Sequence, residues 1–281
     1  MKYWDNSSKD FFDVNGYVII ENVLSSSECD HIRNIVLQLA KWEKDNNAAH
    51  IYDKDPSYLT NENLIDVNND SYLQRVWNLL NKHQIFQEII QLPIILEMME
   101  SIFDRKTKHQ KYLLSSFQAN IIGGGGPDQK LHVDIPVPEP LPSWILKANT
   151  IFPIDDFTEF NGATLCLPGS HRFKFKPKDK DQNRPDLIKL IANKGSVILT
   201  HGALWHKSGE NKTLNDRVAL LGSFAASFAK DISTEEDYSQ IIDNNIIKNS
   251  SKKLRQILGI GSGIQVGSLQ RPPKWKNKNN Y

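Results

Sequence analysis

From about residue 111 the apolar pattern of this 281-residue chain switches to a period of two, and that switch limits the folds open to it. Tyr112-Leu113-Leu114-Ser115-Ser116-Phe117-Gln118-Ala119-Asn120-Ile121-Ile122 reads as one long strand that ends in the flexible turn Gly123 to Gly126. Further strands are expected at Trp144 to Phe152, Ala163 to Leu167, Ser196 to Thr200, Ala203 to Ser208 and Arg217 to Ser227, separated by Gly, Pro, Asn and Asp. Residues 171–194 interrupt the series with a Lys-rich excursion and a short helix expected near Asp186 to Ala192. Short strands with such punctuation close into a barrel or a sandwich.

The chain before residue 111 reads differently. Asn15-Gly16 turns into a short strand at Tyr17 to Ile20, and Ser25 to Glu28 has capping-box spacing. Ile32, Ile35, Val36 and Leu39 then recur as one face of a helix. Residues 45–68, rich in Asn and Asp, read as a long connection that could lie over a pocket. Two or three helices are expected over Ser71 to His83 and Gln84 to Phe103, with Trp77, Leu80, Ile85, Ile89 and Ile90 turned inward. The expected class is therefore mainly β with a helical flank. The length suits one domain over residues 1–281: a helical part to about 110, a β core over about 111–228 and an extension over 229–281 that ends in a loose basic tail.

Bulk charge excludes some partners. The 34 basic and 33 acidic residues nearly cancel, giving no electrostatic reason to expect nucleic acid or a membrane surface. No apolar run reaches the length of a membrane span, and the polar start lacks the core of a secretory signal. Two distant cysteines, Cys29 and Cys166, form neither a metal finger nor a disulfide framework. The expectation is a cytoplasmic protein whose partner is a small molecule.

The chemistry-bearing residues lie in Lys130-Leu131-His132-Val133-Asp134-Ile135. In an extended strand, residues two apart project to one side, so His132 and Asp134 converge. His206 would add a second imidazole, completing two neutral nitrogens and one carboxylate, the ligand set that suits non-haem Fe(II) and leaves positions open. His201 competes with His206, but only His206 has Trp205 before it and Arg217 eleven residues on. His171 follows a Pro-Gly-Ser turn and reads as structural; His50, His83 and His109 read as surface residues. An iron oxygenase of this kind needs a chelating reductant, and 2-oxoglutarate leaves a distal carboxylate that must be paired inside the barrel. Arg217 offers the planar fork for it, and Ser208, on the face of His206, a hydroxyl. Gly123 to Gly126 is no phosphate loop, because no Lys-Ser or Lys-Thr follows it.

These pieces, in order, resemble the phytanoyl-CoA dioxygenase family of Fe(II)/2-oxoglutarate oxygenases: Asn15-Gly16-Tyr17-Val18, His132-Val133-Asp134, Asn161-Gly162-Ala163, Leu167-Pro168-Gly169-Ser170-His171, Leu204-Trp205-His206 and Arg217. The likeness spans about residues 10–228. It implies a double-stranded β-helix (jelly-roll, cupin-like) barrel with iron on His132, Asp134 and His206 and the co-substrate on Arg217 and Ser208. It also places Asn120, and Gln118 on the same strand face, along the pocket. The implied activity consumes 2-oxoglutarate and O2 and oxidises a substrate C–H bond by hydroxylation, demethylation or desaturation. Halogenating relatives carry a small residue where this chain has Asp134. The expected substrate is a small metabolite such as a natural-product intermediate, touched by Ile135 and Trp144 at the ends of the Pro-rich segment between them. An acyl-CoA that meets the basic run Arg172 to Lys178 is the alternative, as is a barrel binding metal or ligand without turnover.

Overall fold

A computed structural model of the chain describes residues 3–51, 72–103, 111–229 and 236–260. Helix α1 (Asn6–Asn15) starts where the Asp5 side chain accepts a hydrogen bond from Ser8 N–H at 2.9 Å. It stops at Gly16, whose φ of 79° lets the chain turn straight into strand β1 (Tyr17–Ile20). No pattern in the sequence announced this helix, because its apolar face is narrow: Phe12 and Ser8 are its buried residues. Helix α2 (Ser26–Asp45) begins with the expected capping box between Ser25 and Glu28 and buries Cys29, Ile32, Val36 and Ala40.

Strand β2 (His50–Ile51) pairs with β3 (Leu73–Val76), and helices α3 (Leu79–Lys82), α4 (Gln84–Ile89) and α5 (Pro93–Ile102) follow. Residues 73–76 were expected to be helical; they form a strand because Leu73, Gln74 and Val76 are buried where β3 pairs with the next strand. Trp77 is half-buried rather than core, whereas Leu80, Ile89 and Ile90 are fully enclosed. The remaining strands are β4 (Tyr112–Ile122), β5 (Lys147–Pro153), β6 (Thr164–Cys166), β7 (Ile188–Lys189), β8 (Val197–His201), β9 (His206–Ser208) and β10 (Arg217–Ala226). The helix expected at 186–192 is replaced by β7, an edge strand held by Cys166 and Leu165 of β6. Three short helices, Tyr238–Ile241, Asn244–Asn249 and Lys252–Ile257, complete the described chain. Most of the 45–68 connection and the C-terminal tail lie outside the described residues.

All pairings are antiparallel. The large sheet runs β1-β8-β5-β10-β4-β3-β2 and the small one β7-β6-β9, extended by an isolated bridge between His132 and His206. The two sheets face each other across a cavity in a double-stranded β-helix, with helices on the outer face of the large sheet. Alternation along β4 explains this division: Ser116, Gln118 and Asn120 face the cavity, while Phe117, Ala119 and Ile121 join the apolar core. There Phe117 meets Phe86 of α4 edge-on at 6.3 Å and Phe152 of β5 at 6.4 Å, and each such buried ring contributes about 1.5–3 kcal/mol. Helix α2 also reaches the barrel by Arg33, whose Nε donates to Asp155 at 2.8 Å and whose terminal nitrogen donates to the Asp216 carbonyl at 3.3 Å. Among the described residues no helix is long and apolar enough to cross a membrane.

Candidate metal centre

His132 and Asp134 sit on the segment after β4, which follows the edge of β9 rather than forming the full strand expected. It is held there by reciprocal backbone bonds, His132 N–H to His206 carbonyl and His206 N–H to His132 carbonyl, both 3.0 Å. Asp134 N–H donates to the Gly202 carbonyl at 2.8 Å. These bonds bring one ligand atom each of His132, Asp134 and His206 within 4.8 Å of one another. His206 Nε2 lies 3.2 Å from Asp134 Oδ2, and His132 Nε2 lies 3.5 Å from Oδ1. Ligands at right angles on metal bonds of about 2.1 Å stand about 3 Å apart, so the spacing fits a facial triad.

The orientation of both rings is set from behind. The Nδ1 of His132 is 2.7 Å from the Lys130 carbonyl and that of His206 is 2.9 Å from the Leu204 carbonyl, so each Nδ1 carries its proton to a backbone oxygen and leaves the Nε2 lone pair facing inward. Asn149 of β5 donates from Nδ2 to Asp134 Oδ2 at 2.5 Å. Burial opposes charge on Asp134, but the two imidazoles outweigh it and hold the carboxyl well below the ordinary value. Burial likewise opposes a proton on His206, and the Asp134 carboxylate beside it raises its pKa nonetheless.

At the other end of the same cavity, Arg217 opens β10 and is 3% exposed. One terminal nitrogen donates to the Gly162 carbonyl at 2.8 Å, and the guanidinium lies 4.4 Å from the centre of the Phe157 ring. Gly162 has φ 81°, and a side chain there would meet the Gly209 carbonyl at 2.9 Å, so this oxygen can face Arg217 only from a glycine. Burial lowers the Arg217 pKa to about 10, with Asp155 partly compensating. Its Nε is buried with no hydrogen-bond partner, as are Gln118 Oε1 and Asn120 Oδ1 in the same cavity. Buried polar atoms without partners are rare, and these three share one cavity.

Comparison with known proteins matches the chain to one family: the model for Phytanoyl-CoA dioxygenase (PhyH) covers residues 12–219. The chain belongs to the phytanoyl-CoA dioxygenase family. Among curated relatives, Dioxygenase af480 of Aspergillus fumigatus is 28% identical over 190 residues, covering 66% of this chain and 58% of that protein. Dioxygenase FUM3 of Gibberella moniliformis is 28% identical over 203 residues, 67% of this chain and 64% of that protein. An uncharacterised protein of Mycobacterium tuberculosis, Rv1501, is 30% identical over 138 residues, 48% of this chain and 49% of its own length. The chain spans about half to two thirds of the length of these curated relatives. Among solved structures, HygX from Streptomyces hygroscopicus, crystallised with nickel, 2-oxoglutarate and hygromycin B, superposes with a TM-score of 0.58 at 15% identity over 80% of this chain and 88% of HygX. SnoK, described as a non-heme alpha ketoglutarate dependent carbocyclase from nogalamycin biosynthesis, gives 0.59 at 16% identity over 79% and 84%. These likenesses establish the fold that the phytanoyl-CoA dioxygenase sequence pattern implied.

In this phytanoyl-CoA dioxygenase relative, Ser208, Asn120, Gln118 and Ile135 all line the cavity with the triad and Arg217. Trp144 does not. It is 48% exposed, lies 5.2 Å from the Phe228 ring and borders a separate cavity, because only Lys147, Asn149 and Ile151 of the following strand turn inward. His201 is buried away from the triad; burial depresses its pKa to about 3, and its Nδ1 accepts the Ala203 N–H. His171 lies against it, ring centres 5.1 Å apart at 45°, and its Nε2 is 3.1 Å from the Asp13 carbonyl, away from the triad. His50 and His83 are exposed, and His109 lies outside the described residues. In the basic run, Phe173 and Phe175 pack on Trp205, which explains the alternation without a ligand. Asn149, Lys147 and Ser223 were not singled out from sequence. Their only signal was alternation on a strand whose inward face could not be fixed in advance.

Proposed function

We propose that this chain is an Fe(II)/2-oxoglutarate-dependent dioxygenase that oxidises a C–H bond of a small-molecule metabolite, an intermediate of natural-product biosynthesis. One observation carries the reading: a cavity of about 570 Å³ holds a His-Asp-His triad and, apart from it, a buried arginine with no carboxylate partner among the described residues. A metal barrel without a dicarboxylate co-substrate has no use for such an arginine, which burial destabilises. The donor set of two neutral imidazoles and one carboxylate fits Fe(II), and the orphaned Arg217 Nε fits an incoming carboxylate.

His132, Asp134 and His206 would hold the metal, and Arg217 with Ser208 the distal carboxylate of 2-oxoglutarate. When bound, Fe(II) with 2-oxoglutarate and O2 supplies the oxidative decarboxylation that yields succinate, carbon dioxide and an oxidised substrate. The protein's part is placement. The backbone carbonyls of Lys130 and Leu204 keep the Nδ1 protons of both rings, so Nε2 stays free to ligate. Asn149 restrains one Asp134 oxygen and thereby aims the carboxylate. Asn120 and Gln118 offer polar atoms along the path between arginine and metal, and Ile135 and Ile151 keep part of the wall apolar. We assign the described residues to one catalytic unit and the protein to the cytoplasm.

The test is succinate release from 2-oxoglutarate with Fe(II) and ascorbate, for wild type, His132→Ala and Arg217→Ala. The proposal expects release in wild type and loss in both variants. Release that persists in His132→Ala, or 2-oxoglutarate binding undiminished in Arg217→Ala, would overturn it.

A further inference from the structure

The cavity does not end at the triad. On β10, Arg217 and Ser223 both face inward but stand six residues apart, roughly 20 Å of strand. Register puts Ile122 opposite Arg217, and Ser116 and Asn149 opposite Ser223. Because Asn149 holds Asp134, the metal centre lies level with Ser223, and whatever extends beyond it points away from the co-substrate arginine.

That far end is basic and polar. Lys147, two residues before Asn149, lines the cavity and is only 2% exposed, and it makes a further interaction within the chain. Lys176 lines the same cavity from the segment that runs beside Glu139 and Leu141; its backbone N–H is fixed on Glu139 Oε1 at 2.7 Å, and its ammonium has no ion pair among the described residues. Ser223 is 7% exposed, and its Oγ is buried with no partner; Ser116 stands opposite it. Among the described residues that line the cavity, Asp134 is the only carboxylate. A buried hydroxyl without a partner, Ser223 Oγ, in a cavity that Lys147 and Lys176 also line is complementary to an anion.

We propose that the substrate carries an anionic group, a carboxylate or a phosphate, and that this chain seats it on Lys147, Lys176 and Ser223, across the metal from Arg217. This rests on the dioxygenase reading above and narrows its substrate to a small acid. The group fixes one end of the molecule, so that the C–H bond presented to the metal is a set distance from the charge.

The experiment uses full-length protein loaded with Ni(II) and saturated with 2-oxoglutarate, titrated calorimetrically with matched probes: 3-phenylpropanoate against 3-phenylpropanamide, and phenyl phosphate against phenol. At least one anion should bind on the order of tenfold tighter than its neutral partner, weakening with added salt; which pair responds tells carboxylate from phosphate. Lys176→Met combined with Ser223→Ala should remove that preference and leave 2-oxoglutarate affinity unchanged. Lys147→Met should do the same, and if it fails to fold the other variant carries the test. Equal binding of charged and neutral partners in both pairs overturns the proposal. So does a double variant that loses 2-oxoglutarate instead, which would give these residues to the co-substrate. Failure of wild type to bind 2-oxoglutarate at all would refute the dioxygenase reading itself, and is seen before any probe is added.

Discussion

Replacing Arg217 by Met separates what this residue does for the fold from what it does for the ligand. Its guanidinium is 3% exposed and its pKa falls from 12.5 to about 10. The displacement corresponds to on the order of 3 kcal/mol against keeping the charge inside the folded chain. For a cation whose pKa is depressed by folding, this penalty is present at every pH below the folded value, and so throughout the physiological range. Set against it are the bond to the Gly162 carbonyl, about 1.5–3 kcal/mol for a charged donor, and the contact with the Phe157 ring, about 1 kcal/mol. The opposing effects nearly cancel, so ligand-free Arg217→Met should unfold within about 1–2 kcal/mol of wild type. With 2-oxoglutarate and Ni(II) the two should part. Losing one partner of a buried charged pair costs about 2–5 kcal/mol, hence roughly 30-fold to a few thousand-fold in 2-oxoglutarate affinity. Denaturant melts with and without 2-oxoglutarate measure both quantities. A ligand-free variant more than about 3 kcal/mol less stable would make Arg217 a strut rather than an anchor. A variant still stabilised by 2-oxoglutarate as much as wild type would refute the anchor outright.

Asn149→Ala, by freeing the Asp134 carboxylate, should lower Ni(II) affinity about 10- to 100-fold in a calorimetric titration while leaving the melting curve of the metal-free protein little changed. Arg33→Ala removes the clamp from α2 onto Asp155 and the Asp216 carbonyl; it should weaken 2-oxoglutarate binding several-fold with no change in metal affinity. The His206–Asp134 pair gives a pH signature. His206 is raised above 6.5, so its stabilisation of the metal-free protein is complete below 6.5 and is lost as pH rises through the raised value. Metal must displace that proton, so Ni(II) affinity should climb with pH across the same window and binding should release protons to the buffer. An affinity flat in pH would show that the pair is not the site.

The β core was legible because its residues obey local rules. The expected strand at 112–122 matches β4 residue for residue, since an alternating run closed by four glycines leaves no other period. The Ser25–Glu28 box likewise fixes the start of α2 through contacts within four residues. What failed was decided at longer range. Residues 73–76 became a strand through pairing with β4, and 188–189 through pairing with β6, neither of which the local sequence encodes. The triad was readable as a spacing, but the segment bearing His132 and Asp134 is held by one bridge and not by a full ladder. Trp144 was misplaced because nearness in sequence to Asp134 was taken for nearness in space, while the chain between them leaves the cavity after Pro136. Asn149 could be found only once β5 had been aligned against Asp134.

The most direct test of the metal centre is the iron content of anaerobically reconstituted protein. Wild type should hold one Fe(II) per chain, and Asp134→Gly should lose iron and 2-oxoglutarate turnover together. Arg217→Met should keep the iron and lose only the co-substrate, because its side chain lies at the other end of the cavity. Full iron content and full activity in Asp134→Gly would contradict the assignment of His132, Asp134 and His206 as the metal site.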